Sequence, residues 1–382
     1  MGRASGGVGS NQYQTRGVSV ARGLSPSVSA PDASAVTDKR RCGEVWGTKC
    51  HIWVQAPSWS HAKHPSRHAR ERAAESAPGY ILAYLANDTA VSVRDGVAAN
   101  PNTPPEALAS LTRDENQAVR AIAARNPNTP PDALERVAQE ERSWHVIISL
   151  AANPSAPPSV LAAFASYRDR STRMAVAGNP NAPAETLEAL SRDASATVCM
   201  AVAGNPGIPP SVAEEFLRGK QPIFLESLAG NPGLAPDALA RLAGDASLVV
   251  RRRVAENPST PPETLRGLAK GPEQKVVTRV IKNPHTPPEI LVEFVEDDRT
   301  PVRSALATAP SVSGDILTAL SHDRAKSVRM AVADNQKTPS GILFELATAD
   351  DDKDVRTQAA RNPSLPEHMQ AMLILASDPH GT

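Results

Sequence analysis

The chain has 382 residues, 40% of them hydrophobic and 3% aromatic, with 35 prolines and no net formal charge. That is apolar material enough for a core, with proline well above the usual ~5% yet without the Pro-plus-Gly load of ~25–30% that marks a low-complexity chain. No run approaches 18 apolar residues, the opening MGRASGGVGS lacks an apolar signal stretch, and Cys42, Cys50 and Cys199 are too few for a disulfide framework, so the expectation is a cytoplasmic protein with no membrane partner.

The zero charge hides an asymmetry. Residues 1–75 hold 11 Lys/Arg against 5 Asp/Glu, and residues 76–382 hold 30 against 36. The first stretch is poor in apolar residues and has no period, which predicts a disordered or poorly ordered basic tail. It contains Cys42, Cys50, His51, His61, His64 and His68. His64 and His68 stand four apart, a spacing that puts two imidazoles on one helix face and would suit zinc. The set fits no zinc module, and no metal site is expected. Trp46, Trp53 and Trp59 also lie here and are candidates for a short docking motif.

From Ser76 onward the chain repeats. Asn-Pro occurs at Asn100, Asn126, Asn153, Asn179, Asn205, Asn231, Asn257, Asn283 and Asn362. Ala309-Pro310 and Asn335-Gln336 fill the two imperfect slots. The spacing is 26 residues, with 27 twice, which gives about eleven units and a remnant after Pro363. A fixed period of this size marks a solenoid or propeller.

Within a unit, Thr103-Pro104-Pro105-Glu106 reads as a helix start: Thr as cap, Pro in the first turn, Glu closing a capping box. Thr129-Asp132, Thr260-Glu263 and Thr286-Glu289 repeat it. Leucines three apart follow, as in Leu108/Leu111, Leu187/Leu190 and Leu265/Leu268, and share one helical face. A second helix is expected after an acidic cap twelve residues before the Asn slot: Asp88, Asp114, Asp193, Asp245, Asp297, Asp323 and Asp350. It carries Val inward (Val93, Val119, Val250, Val302, Val328, Val355) and then small residues. It must end at the Asn, because a residue before proline is pushed out of the α region. Asn also tolerates the left-handed conformation that often closes helices. Helices of 7–10 residues are not stable alone in water, so stacked neighbours must supply the burial.

The recurring string NPxTPPxxLxxLxxDxxxxVRxxVAxNP resembles the leucine-rich repeat variant family over residues 76–373, with 374–382 as the C-terminal end. The resemblance implies an all-α, right-handed superhelical solenoid of about eleven 26-residue two-helix repeats, in a family that alternates α and 3-10 helices without strands. The units are longer than is usual there, so the first helix is expected to be fully α. The second half of each unit is also similar to HEAT repeats. Some family members carry an N-terminal iron–sulfur segment. This chain has only Cys42 and Cys50 before the repeats, and a four-thiolate cluster needs four, so no cofactor is expected.

The most periodic charged feature is an arginine column six residues before the Asn slot: Arg94, Arg120, Arg173, Arg251, Arg303, Arg329 and Arg356. Ile147, Cys199, Leu225 and Val277 interrupt it. The column reads in two ways. It is a ladder with the acidic caps, within a unit (Arg251 with Asp245) or between neighbouring units, or it is a stripe that grips a partner. Cys199 reads as a substitution within the column. Units 206–231 and 258–283 lose both the acidic cap (Gly219, Gly271) and the arginine, and unit 127–153 carries an extra residue beside Trp144-His145.

No P-loop, GxGxxG, HExxH or GxSxG motif occurs, and acid–base pairs recur only as caps and columns. The expected function is that of a non-enzymatic, monomeric scaffold whose concave surface holds a protein partner. The alternative is a nucleic-acid-binding array that sets the arginine column against phosphates. The acidic balance of the repeats and the lack of repeating surface aromatics for base stacking weigh against it.

Overall fold

A computed structural model describes residues 57–377. The chain divides into two units, Met1–Ser60 and His61–Thr382, and the repeats lie in the second. The described residues form 25 helices and no strand. After α1 (Pro57–Ala62) the helices alternate in kind. The even-numbered ones are the second helices of successive units: α2 (Arg67–Ser76), α4 (Val91–Ala99), α6 (Gln117–Arg125), α8 (Trp144–Ala151), α10 (Arg170–Gly178), α12 (Ala196–Ala203), α14 (Pro222–Ala229), α16 (Leu248–Glu256), α18 (Gln274–Lys282), α20 (Thr300–Ala307), α22 (Lys326–Asp334) and α24 (Lys353–Arg361). The odd-numbered ones are the first helices: α3 (Gly79–Leu85), α5 (Pro105–Leu111), α7 (Pro131–Glu140), α9 (Pro158–Phe164), α11 (Ala184–Leu190), α13 (Pro210–Gly219), α15 (Pro236–Leu242), α17 (Pro262–Ala269), α19 (Pro288–Val292), α21 (Gly314–Leu320), α23 (Ser340–Ala349) and α25 (Glu367–Ser377). First and second helices are both α, as the long unit implied.

Consecutive second helices pack side by side from α2 to α24, and most first helices pack on the second helix of their own unit, several of them equally on the second helix before. The apolar spacing explains this. Leu108, Leu111, Leu187, Leu190, Leu265 and Leu268 are all buried between the two helices of a unit, with Val93, Val119, Val250 and Val328 opposite them. Ala98, Ala124, Ala177 and Ala255 are wholly buried on the second helices, where only a small side chain permits the close approach of the next unit. The result is one apolar core running from unit to unit, with no unit able to bury its own face alone.

The pattern begins half a unit before residue 76. Arg67–Ser76 is helical, packs on α4, and brings Arg70 into the arginine column. Residues 1–56 of the expected tail, with Cys42, Cys50, His51, Trp46 and Trp53, lie outside the described residues. His64 sits in the turn before α2, where its Nδ1 accepts the Ser66 amide, so His64 and His68 do not share a helical turn. Among the described residues no group of three His, Cys, Asp or Glu is placed to hold a metal, and no helix is long and apolar enough to cross a membrane.

The helix starts differ from the expected caps. Pro104, not Thr103, holds the cap position of α5, and its helix start has no side-chain cap. The buried Thr103 hydroxyl instead donates to Val97 O, 2.6 Å away, in the last turn of α4. Thr129, Thr260, Thr286 and Thr338 do the same to Ala123, Val254, Val280 and Val332. A carbonyl at a helix C-terminus has no partner in its own helix, so it is the stronger claimant for the hydroxyl. The acidic residues sit further out, two residues before the cap position. Asp88, Asp114, Asp245 and Asp323 each accept the amide two residues on, at 2.7–2.8 Å, and leave the rest of the carboxylate free to face the previous unit.

The Asn slots are extended, as a residue before proline must be: Asn100 has φ −72° and ψ 127°, and the left-handed alternative is not used. Their side chains form a buried ladder. Asn257 Nδ2 donates to Ala229 O and Asn231 O, both 2.8 Å away, in the unit before, while its Oδ1 accepts the Ser259 amide at 2.9 Å. The same three bonds recur at Asn126, Asn153, Asn179, Asn205, Asn231 and Asn283. Ala309 interrupts the ladder, and Asn335 resumes it with a bond to Ala307 O. In the irregular stretch near residue 231 the units approach so closely that a Cβ at Gly233 would lie 1.9 Å from Pro206 O, so only glycine fits there.

Candidate functional site

The arginine column is placed where the period put it, and its guanidiniums are engaged between units. Arg94 Nε lies 2.6 Å from Asp114 Oδ2, Nη2 lies 2.9 Å from Oδ1, and Nη1 donates to Asp88 O at 2.8 Å. Each such arginine therefore ties the start of its own second helix to the acidic residue of the following unit. Arg173 with Asp193 (2.6 Å), Arg303 with Asp323 (2.5 Å) and Arg329 with Asp350 (2.7 Å) repeat the two-point contact. Arg120 reaches Glu141 at 2.8 Å in the unit with the extra residue. Arg251 pairs with Glu273 at 2.5 Å because Gly271 has replaced the usual acid, and Asp245 gives it only a backbone carbonyl. Arg356 donates Nη1 to Asp350 O. Side-chain exposure in the paired column runs from 4% at Arg303 to 22% at Arg120.

The electrostatics follow the geometry. At Asp114 and Asp323 burial pushes the carboxyl upward, but the arginine hydrogen bonds, a backbone amide and the guanidinium charge outweigh it and leave both below the ordinary carboxylate value. At Asp193 the Arg173 hydrogen bond is the largest influence and lowers it outright. Arg94, Arg173, Arg303 and Arg329 are raised, first by those same hydrogen bonds.

The interruptions are apolar side chains in the same buried slot. Ile147, Cys199, Leu225 and Val277 are each 5% exposed or less. After Ile147 and Cys199 the next unit has also lost its acid, having Tyr167 and Gly219 there. After Val277 the acid remains, and Asp297 is met instead by Arg299 at 2.7 Å. Cys199 Sγ takes over part of the arginine's bonding, lying 3.3 Å from Asp193 O and 3.2 Å from Ser191 O. Burial, then the nearby Asp193 charge, raise its pKa, the opposite of an activated thiol.

A second surface was not legible in the period. The second helices bury chiefly the residues seven, three and two before the Asn slot, cover most or all of the one six before, half-bury most of those five and four before, and expose most of those eight and one before. The residues eight, five, four and one before the slot form the outward set. On α10 the outward set is Ser171, Met174, Ala175 and Gly178; on α12 it is Thr197, Met200, Ala201 and Gly204. With His145, Ile148, Ser149 and Ala152 on α8, three adjacent helices present no Asp, Glu, Lys or Arg at these positions. Apolar side chains stand out along the row: Trp144 (53% exposed), Met174 (42%) and Ile223 (44%), with Leu248 and Val249 at the start of α16; at the position Trp144 holds on α8, α10 carries the exposed Arg170, and α14 adds Glu226 to its outward set. Trp144 stacks on His145 with ring centroids 3.5 Å apart, and Gln117 Nε2 lies 3.0 Å from His145 Nδ1, which holds the pair at the helix start.

The charge changes sharply further on. The outward sets of α16 and α18 include Arg252, Arg253, Lys275, Arg279 and Lys282 against Glu256 alone. Glu256 is shared, with Arg279 3.0 Å and Arg253 3.6 Å away, and Arg253 also lies 3.6 Å from Glu226 on α14.

The family model described as leucine rich repeat variant matches residues 92–116, 118–139 and 170–195. Among solved structures, a leucine-rich repeat variant with a novel repetitive structural motif is 25% identical, covering 58% of this chain and 87% of that one at a TM-score of 0.36. Importin beta, crystallised in an ammonium sulfate condition, is 12% identical, covering 79% of this chain and 45% of that one at a TM-score of 0.25. Superpositions this loose assign no binding surface. A comparison with curated proteins finds no match. The matched stretches are similar to leucine-rich repeat variant units, and the described residues form a helical repeat array.

Proposed function

We propose that the chain is a non-enzymatic repeat scaffold that binds a protein partner along the outward face of its second helices. The observation that carries this reading is the row of exposed apolar side chains on neighbouring second helices, Trp144 on α8, Met174 on α10 and Ile223 on α14, with Arg170 the one exposed charged side chain on α8, α10 and α12. A contiguous exposed apolar surface rimmed by polar residues marks an interaction site, and aromatic and methionine side chains are enriched at such interfaces. The non-enzymatic part is supported by where the displaced pKa values fall. The lowered carboxylates of the column are partners in the ladder, and Cys199 is shifted away from reactivity.

The arginine column supports a structural role better than a partner-binding one. A phosphate or an acidic peptide would have to displace a carboxylate already held at two points, and leave it buried without a partner. The nucleic-acid reading loses its main surface for the same reason.

The test is capture from native lysate with the full chain, in the presence of nuclease, beside a variant carrying Met174→Glu and Ile223→Glu. Both residues are exposed, so the variant should melt as the parent does. A discrete protein retained by the parent and lost by the variant supports the reading. Capture equal in both, or capture that vanishes with nuclease, overturns it.

A further inference from the structure

We infer that the partner is a linear segment of another protein that joins an apolar stretch to an acidic one, the apolar part lying across α8–α12 and the acidic part on α16–α18. This rests on the reading above and specifies what fills the face. The argument is the order of chemistry along one row of helices. On α18, Lys275, Arg279 and Lys282 recur at i, i+4 and i+7 and form a single stripe. Arg253 on α16 lies beside it, and these basic groups outnumber the two acids they pair with, Glu226 and Glu256. Arg253 and Arg279 are 47% and 49% exposed, unlike the buried arginines of the column, so they reach a ligand without dismantling the ladder. Helices packed at ~8–10 Å put α12 and α18 roughly 30 Å apart, which an extended chain spans in about 9 residues at ~3.3 Å each.

The charge also excludes one occupant close at hand. Residues 1–56 of this chain hold seven Lys/Arg against three Asp/Glu, and would meet the stripe with like charge. The apolar part has the composition of an adaptable surface. Met174 and Met200 are unbranched and polarisable, and Ala175, Ala201, Gly178 and Gly204 let a backbone come close. Such a face selects for apolar side chains of loose shape, and leaves the direction and position of the segment to the basic end.

The experiment is a display selection of random peptides of about 20 residues on the intact chain, long enough to span α8 to α18. Enriched peptides are then measured against three proteins: the parent, Met174→Glu with Ile223→Glu, and Lys275→Glu with Arg279→Glu and Lys282→Glu. The expected result is enrichment of an apolar cluster joined to Asp or Glu, with binding weakened roughly tenfold or more by either variant. Added salt should weaken the parent's binding and, by screening the like-charge repulsion, raise the residual binding of the charge-reversed variant. Peptides without acidic bias, indifferent to the charge reversal yet lost by Met174→Glu with Ile223→Glu, overturn this inference and leave the scaffold reading standing. No enrichment overturns it too, while capture of a folded protein from lysate would still support the scaffold reading. A single-stranded oligonucleotide probe is the last arm: binding to the parent that disappears on charge reversal would assign the stripe to phosphates and overturn the inference.

Discussion

Arg94 of one unit and Asp114 of the next meet at two points, Nε to Oδ2 at 2.6 Å and Nη2 to Oδ1 at 2.9 Å, while the remaining nitrogen of the same guanidinium holds Asp88 O. Each arginine is thus a strut between adjacent units. Arg303 and Asp323 are the most deeply buried example, at 4% and 6% side-chain exposure. Removing one partner of a buried pair leaves the other uncompensated, so Arg303→Gln and Asp323→Asn should each cost about 3–5 kcal/mol. The double variant should lose clearly less than the sum, as measured by denaturant unfolding. The corresponding cycle at Arg251 belongs with Glu273, and the Asp245 carboxylate should show no coupling to Arg251.

The buried Asn ladder makes a separate prediction. Asn257→Ala removes two bonds to the carbonyls of Ala229 and Asn231 and should cost about 2–4 kcal/mol, because those oxygens lose their partner amide in a buried site. Ala309 offers the reverse experiment. Ala309→Asn restores the missing rung and should raise stability by about 1 kcal/mol. A lower melting temperature for that variant would show that the gap is packed for alanine.

Leu265 is fully buried between the two helices of its unit, and Leu265→Ala should cost about 2–5 kcal/mol. Met174→Ala, on the outward face, should cost far less. Equal losses at the two positions would contradict the assigned faces.

Acid should loosen the array in a defined window. Asp114, Asp193, Asp323 and Asp350 have native pKa values below their ordinary value, so the unfolded chain binds protons first as pH falls. Their contribution is fully present well above the ordinary Asp value of about 3.9 and is lost as pH drops through it toward the depressed native values. Asp95 has the opposite sign. Burial, then the Asp114 charge, raise its pKa, and its Oδ1 is buried without a hydrogen-bond partner. Asp95→Asn should therefore stabilise at neutral pH, with the gain fading once acid protonates the parent's carboxyl. Melting curves of parent and variant across pH 3–7 would check both signs.

The period, the two-helix unit and the inward faces were legible because each rests on chain-local chemistry: proline ends a helix, and leucines three apart share a face. The destinations of the polar side chains were not. Thr103 and Glu106 satisfy the pattern of a capping box, yet in a solenoid the preceding helix presents an open carbonyl, and Thr103 bonds there instead. The acidic residues look like caps for the same local reason, while their carboxylates answer to an arginine in the previous unit. The Asn ladder did leave a signal. A turn before proline needs no amide, and the return of Asn in nearly every unit of this one chain points to a group that must both donate and accept. The outward face was hidden because Met174 and Met200 sit at helical spacing from buried valines, and only the packing of neighbouring units shows which side is covered.

The central claim, that a protein partner lies on the outward face of the second helices, is tested most directly by site-specific photocrosslinking. A photoreactive residue is placed at Met174, on the outward side of α10, or at Ala189, exposed on first helix α11, and the full chain is exposed to lysate and light. The account predicts a discrete adduct from position 174 and none from position 189. An adduct from 189 with none from 174 would contradict it and move the binding surface to the first helices.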